Sequence, residues 1–231
     1  MNDFTFAHRE EGFDNHIDMS IRGYGNLHDD IVAMSRYFVD NESSVYDIGS
    51  STGKTILAMA DQNYSFAPKC HYIGVEIADG FKEAMEDRVV EVEGKHPGTI
   101  VSYLKDDIRD VEILNASLVT SIFTLQFMPR NARAEVIDRI YEGLNEGGAF
   151  IFGEKTVATD ARTQDMMTFM FYDYKRKSFS ESDIMTKEVT LRNMLKPNTW
   201  DELQDMIYRA GFKSVQPFWQ NHLFVGAIAI K

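Results

Sequence analysis

The segment Val45-Tyr46-Asp47-Ile48-Gly49-Ser50-Ser51-Thr52-Gly53-Lys54-Thr55 runs from a short apolar stretch through two glycines into a helical pattern. A strand that feeds a tight glycine turn into a helix brings backbone N–H groups close to a ligand. Several readings of this turn compete. Gly53-Lys54-Thr55 suggests a phosphate-binding P-loop, but that pattern needs one residue more between its glycines than Ser50, Ser51 and Thr52 supply. The G-x-G-x-x-G dinucleotide pattern fails on spacing, and a plain turn without ligand is the bland alternative. Glu76 closes the apolar run His71–Val75, where a carboxylate can accept hydrogen bonds from both hydroxyls of a ribose. Asp107-Ile108 follows a further apolar run and pairs an acid with an apolar side chain. An acid at one strand end is often only a solvated cap. Three such features in order, each at the carboxyl end of a successive strand, lie where open α/β sheets bind ligands.

The elements that must position them alternate along the chain. Periodicity predicts strands at Val45–Ile48, His71–Val75, Thr99–Leu104, Ala116–Phe123 and Ala149–Phe152. Between or before them it predicts helices at Leu27–Val39, Thr55–Asp61, Asp79–Val92 and Asn131–Leu144, the last with Ala134, Ile137, Ile140, Tyr141 and Leu144 inward and stopped by Gly147-Gly148. Beyond Glu154 come helices at Thr159–Lys177, Ser180–Leu195 and Thr199–Ala210, then Lys213–Trp219 and His222–Ile230 as an antiparallel pair. This rhythm predicts a doubly wound, mostly parallel α/β sheet with an antiparallel C-terminal hairpin and N-terminal cap helices. The expectation is one domain over 1–231, with a cap over 1–40 and inserted helices over 159–195 that wall a pocket or form a dimer contact.

Composition excludes several classes. The chain has 231 residues, and its net charge of -12 disfavours nucleic acid and anionic membranes as partners. No apolar run is long enough to span a bilayer, and the N-terminus lacks a secretory pattern. The single cysteine, Cys70, fits a reducing cytoplasm and reads as structural. No His, Cys and carboxylate group has metal-ligand spacing, so no metal is expected. His16, His28 and His222 are candidate bases that read first as ordinary polar residues. Met166, Met170 and Phe171 read as core or dimer contact, and Arg162, Tyr172, Tyr174 and Arg176 are the polar residues of that helix to watch.

The turn resembles the D-x-G-x-x-x-G turn of class I methyltransferases at Asp47, Gly49 and Gly53. Longer stretches are similar to the carboxy-S-adenosylmethionine synthase family, which serves tRNA wobble-uridine modification. They include Gly23-Tyr24-Gly25-Asn26, Asp107-Ile108-Arg109-Asp110, Phe123-Thr124-Leu125-Gln126-Phe127, Glu154-Lys155, Asp173-Tyr174-Lys175-Arg176 and Ala210-Gly211-Phe212. The resemblance implies a Rossmann-like methyltransferase fold with a seven-stranded sheet, a homodimer, and S-adenosylmethionine or S-adenosylhomocysteine as ligand. It implies that Tyr24, Gly49, Ser50, Ser51, Glu76 with Ile77, and Asp107 with Ile108 contact that ligand. Ser50 stands where the family has Cys, and Glu76 where it has Asp.

Two departures matter more. The family's Asn before the Phe-Thr-Leu-Gln-Phe run is Ile122 here, and the Arg that grips the product's carboxylate aligns with Glu188. A carboxylate in that place predicts at least a hundredfold preference for S-adenosylmethionine over its carboxylated form, unless Lys187 or Arg192 takes over the grip. The first reading is therefore a methyltransferase acting on a small molecule. The second is a carboxy-S-adenosylmethionine synthase using prephenate, and the third a non-catalytic S-adenosylmethionine-binding protein. Absence of an obvious base weighs little, because the sulfonium methyl is already activated and alignment does much of the work.

Overall fold

The computed structural model describes residues 12–231, so residues 1–11 of the expected cap lie outside the described residues. Seven strands form one sheet: β1 (Ser44–Ile48), β2 (His71–Val75), β3 (Ile100–Leu104), β4 (Ala116–Ile122), β5 (Leu144–Lys155), β6 (Ser214–Asn221) and β7 (Phe224–Ile230). Their spatial order is β3-β2-β1-β4-β5-β7-β6. The first five are parallel; β7 runs antiparallel to both β5 and β6. The winding direction reverses between β1 and β4, and a crevice opens at such a switch point beyond the carboxyl ends of the strands.

Both faces of the sheet are covered, which explains central strands that are buried almost throughout rather than alternating. On one face Val45, Tyr72 and Ile151 pack with α2 (Tyr24–Ser35), α3 (Lys54–Asn63) and α4 (Lys82–Lys95) through Leu27, Ile31, Ile56, Met59 and Met85. On the other face Tyr46, Ile73, Val119 and Phe150 meet α5 (Arg130–Gly143) and α8 (Trp200–Ala210) through Ile137, Ile140 and Ile207. Thr199 caps α8: its hydroxyl accepts from the Glu202 N–H at 3.2 Å, and the Glu202 carboxylate accepts from the Thr199 N–H at 3.0 Å. A cap of this kind contributes about 1 kcal/mol.

Three further helices stand over the carboxyl end: α1 (Phe13–Ser20), α6 (Ala161–Lys175) and α7 (Glu181–Met194). Ser180 and Asp160 cap α7 and α6, each side chain accepting a backbone N–H.

Several local expectations change. The helix expected at Asn131–Leu144 ends at Gly143, and β5 starts at Leu144 rather than Ala149, because Leu144 already pairs with Ala116 of β4. Gly147 and Gly148 therefore lie inside the strand. Ala134 is exposed, while Arg133 and Val136 take the inward positions. The Asp79–Val92 helix begins with a 3-10 turn at Asp79–Phe81. His222 belongs to the hairpin turn with φ 50°, and β7 starts at Phe224. Met166 and Met170 are exposed, not core, and only Phe171 of that stripe is buried.

The two edges of the sheet differ from its centre. On β6 the register with β7 shifts between Pro217 and Trp219. On β3 the Val101 N–H donates to the Glu93 carboxylate of α4 at 3.4 Å.

Candidate functional site

A cavity of about 450 Å³ opens at the switch point. Its floor is the β1–α3 turn. Gly49 and Ser50 both donate their N–H groups to Val75 O, at 2.8 and 3.2 Å, and Gly53 N–H closes the turn on Ser50 O at 2.8 Å. Gly49 has φ 74°, and a Cβ there would meet the Thr124 side chain, 2.7 Å from its Cγ2. Only glycine fits where the loop after β4 presses against the turn.

That loop contains a bulky residue in left-handed backbone. Phe123 has φ 58°, its N–H donates to Gly153 O at 2.7 Å, and its ring packs edge-on against Phe224. Arg133, only 1% exposed, holds the loop from below by donating to Gln126 O, Met128 O and Asn198 Oδ1.

Acids line the end of the cavity beyond β1, β2 and β3. Glu76 is buried, and its carboxylate accepts the Ala78 N–H at 2.7 Å and the Ser51 N–H at 3.1 Å. Burial pushes its pKa up, and these backbone donors pull it partly back. Each of its oxygens keeps a lone pair for a ligand hydroxyl. Asp47 is buried with Thr120 Oγ1 donating to it at 2.7 Å, and burial lifts its pKa to about 7. Asp107 is gripped by the Arg109 guanidinium, which holds its carboxyl below the usual range. Ile108 is buried, whereas Ile77 is 63% exposed at the rim.

The cavity wall includes Tyr24, Asp47, Gly49, Ser50, Ser51, Glu76, Ile77, Asp107, Ile108 and Ile122, together with Lys187 and Glu188. Gly53, Tyr172 and Arg192 stand outside it. Gly53 shapes the turn without facing the cavity, and Tyr172 instead packs edge-on against Phe169 of its own helix. The Ser50 and Ser20 hydroxyls are buried in the wall with no hydrogen-bond partner among the described residues. Orphaned hydroxyls over a glycine cradle fit a polar ligand, with the Glu76 and Asp107 carboxylates in the same wall.

The opposite end carries charge that the sequence reading passed over. Lys175 is 2% exposed, with its Nζ 3.6 Å from Glu188 Oε1 and 5.0 Å from the Phe171 ring centroid. Lys155 lies beside it. Both had entered only as part of matching stretches. The signal available for Lys155 was its place at the carboxyl end of β5. Glu188 is thus an ion-paired acid rather than an isolated one. Lys187 donates to His16 Nε2, tying α7 to α1. Two residues before His16, Asp14 also holds α1 by accepting from Thr52 Oγ1 at 3.0 Å.

Comparisons with known proteins bear on the family and the fold. A family model described as a methyltransferase domain matches residues 45–148. The chain is 31% identical over 221 residues to the carboxy-S-adenosyl-L-methionine synthase of Staphylococcus epidermidis, covering 95% of this chain and 92% of that protein. It is 32% identical over 233 residues to the synthase of that name from Actinobacillus pleuropneumoniae serotype 7, covering 100% and 95%. Among solved structures, an O-methyltransferase family protein from Burkholderia thailandensis superposes with a TM-score of 0.63 at 15% identity, over 98% of this chain and 61% of that one. A phosphoethanolamine N-methyltransferase from Haemonchus contortus, solved in complex with S-adenosyl-L-methionine, gives 0.61 at 15% identity, over 92% and 53%. These last two likenesses show the fold. With 31% and 32% identity to these synthases over nearly the full length of each protein, and a methyltransferase domain matched over residues 45–148, the chain is a class I S-adenosylmethionine-dependent transferase and belongs to the carboxy-S-adenosyl-L-methionine synthase family.

Proposed function

We propose that this transferase moves the methyl group of S-adenosylmethionine to a small-molecule acceptor. The observation that carries the reading is Glu188, an acid in the wall where the family resemblance puts a carboxylate-gripping arginine. In this reading Tyr24, the Gly49–Ser51 turn, Glu76 and Asp107 hold the methyl donor, while Phe171, Phe224, Lys155 and Glu188 wall the acceptor. The bound donor supplies an activated methyl group, so aligning the acceptor and excluding water does much of the work. No metal enters this chemistry. We place the protein in the cytoplasm, working as one unit over 1–231. Among the described residues no helix is long and apolar enough to cross a membrane.

The second reading, synthesis of carboxy-S-adenosylmethionine from prephenate, is favoured by the full-length similarity to synthases and by the lysines at the acceptor end. Incubation with S-adenosylmethionine, with and without prephenate, followed by mass spectrometry separates the two. The expected result is no carboxylated product, and a prephenate-dependent carboxylated product would reverse the order of the readings. S-Adenosylmethionine binding in the micromolar range is expected, and a preference for ATP would restore the P-loop reading.

We also propose a homodimer built on α6 and α7. Met166, Phe169 and Met170 on α6, and Met185 and Val189 on α7, are about half exposed or more. Apolar groups in this number usually mark a contact surface. Light scattering at micromolar concentration should give twice 26.5 kDa. A species of 26.5 kDa alone would defeat the dimer.

A further inference from the structure

The carboxyl end of β5 delivers one amine into the acceptor end of the cavity and holds it firmly. The Lys155 N–H donates to Gln126 Oε1 at 2.8 Å, and Glu154 before it is buried. From this anchor the Lys155 Nζ reaches between two rings, 5.4 Å from the Phe171 centroid and 5.8 Å from that of Phe224. Among the described residues no carboxylate stands within ion-pairing distance of it. The acid that faces it, Glu188 of α7, already pairs with Lys175 of α6.

The other titratable groups around this end are accounted for. Lys187 of α7 is hydrogen-bonded to His16 of α1. Tyr172 of α6 and Tyr24 of α2 are both held protonated by burial. Burial lowers the basicity of Lys155, and the charge of Glu188 restores only part of it. Lys175 is lowered by burial too, but Glu188 acts on it directly through their ion pair. Of the two amines, Lys155 is the one without a counter-ion of its own.

We propose that Lys155 is the catalytic proton acceptor of this site, taking the proton from the acceptor's nucleophilic O–H, N–H or S–H group as the methyl group is transferred. The inference rests on the methyl-transfer reading above. The acceptor's lone pair forms the new bond to the methyl carbon as the carbon–sulfur bond breaks. The electrons of that broken bond stay on sulfur, which becomes a neutral thioether. The acceptor's proton moves to the Nζ lone pair, and Lys155 becomes an ammonium that later loses the proton to water. The balance needs no other reactant.

This role requires Lys155 to be an amine when the methyl donor is in place. S-Adenosylmethionine carries a sulfonium cation, and a second cation in the same poorly solvated cavity is disfavoured. S-Adenosylhomocysteine carries no charge on sulfur. Binding of the first ligand, and not of the second, should therefore expel the Lys155 proton.

Calorimetric titration of the intact protein with each ligand tests this, run at mildly alkaline pH in two buffers of different ionisation enthalpy to count protons. Wild type is expected to release up to roughly one proton more with S-adenosylmethionine than with S-adenosylhomocysteine. Lys155→Gln and Lys155→Arg should both bind and both lose that difference, the arginine because it stays charged. The α-amino group of the ligands titrates as well, and the variants control for it. Equal proton counts in wild type, or a difference that survives in Lys155→Gln, overturns the proposal while leaving the transferase reading intact. Equal proton counts in wild type overturn the proposal even if neither variant folds. An absence of binding heat with either ligand overturns the transferase reading and the inference with it.

Discussion

Replacing Glu76 by alanine is expected to weaken S-adenosylmethionine binding by about 1.5–3 kcal/mol, roughly ten- to a hundredfold. Two losses combine. The first is the acceptor for the ligand's hydroxyls, a charge-assisted contact made by a buried carboxylate. The second is orientation, because Glu76 also fixes the Ser51 and Ala78 N–H groups on either side of the cavity floor. Without it the Ser51 N–H loses its partner at the point where the turn must hold its shape. Glu76→Gln keeps one carbonyl acceptor and should fall between wild type and alanine. Calorimetry on the three proteins checks the order, and unchanged affinity in Glu76→Ala would remove this residue from the ligand's contacts.

The second large effect concerns Glu188 and the charge of the ligand. Two like charges about 4 Å apart repel by on the order of 1 kcal/mol in water and several times that when partly buried. Taken alone, Glu188 would discriminate against a carboxylated ligand at least a hundredfold, as the sequence predicts. Lys175, 3.6 Å away, offsets part of that repulsion. We expect wild type to favour S-adenosylmethionine over its carboxylated form by about tenfold. Glu188→Arg would gather a guanidinium with Lys155 and Lys175 in one wall. That variant should shift the balance toward the carboxylated ligand by a further tenfold or more, since a contact to a charged group adds roughly 1.5–3 kcal/mol. Competition binding with both ligands measures this. Wild-type protein that purifies with the carboxylated ligand bound would instead make the synthase the leading function.

Much of the fold was legible because the central strands carry short apolar runs and the helices between them are periodic. The β1–α3 turn could be read because its chemistry is local: Gly49 and Gly53 both take positive φ. The boundary between α5 and β5 was not legible. Gly147-Gly148 looked like a helix stop, but the pairing of Leu144 with Ala116 decides the boundary, and that pairing is non-local. The inward place of Arg133 was hidden for a related reason. Its partners are carbonyls of the 126–128 loop and the Asn198 side chain, on separate elements. At the site, order along successive strand ends brought Glu76 and Asp107 together with the turn. Glu188 was placed by resemblance, but its pairing with Lys175 depends on how α6 lies against α7. The same packing leaves Tyr172 and Arg192 outside the wall.

The two sheet edges have a consequence for how copies of this chain can meet. An exposed edge strand is a template on which another chain can lay its own backbone. On β6, Pro217 has no N–H to offer, and the register shift beside it breaks the regular ladder. On β3, the Val101 N–H is taken by Glu93, and the strand spans only Ile100–Leu104. Both ends thus resist strand addition, one by lacking a donor and the other by occupying it. Continuation of the sheet from one molecule into the next is suppressed at either side, and side-chain surfaces are left as the means of association.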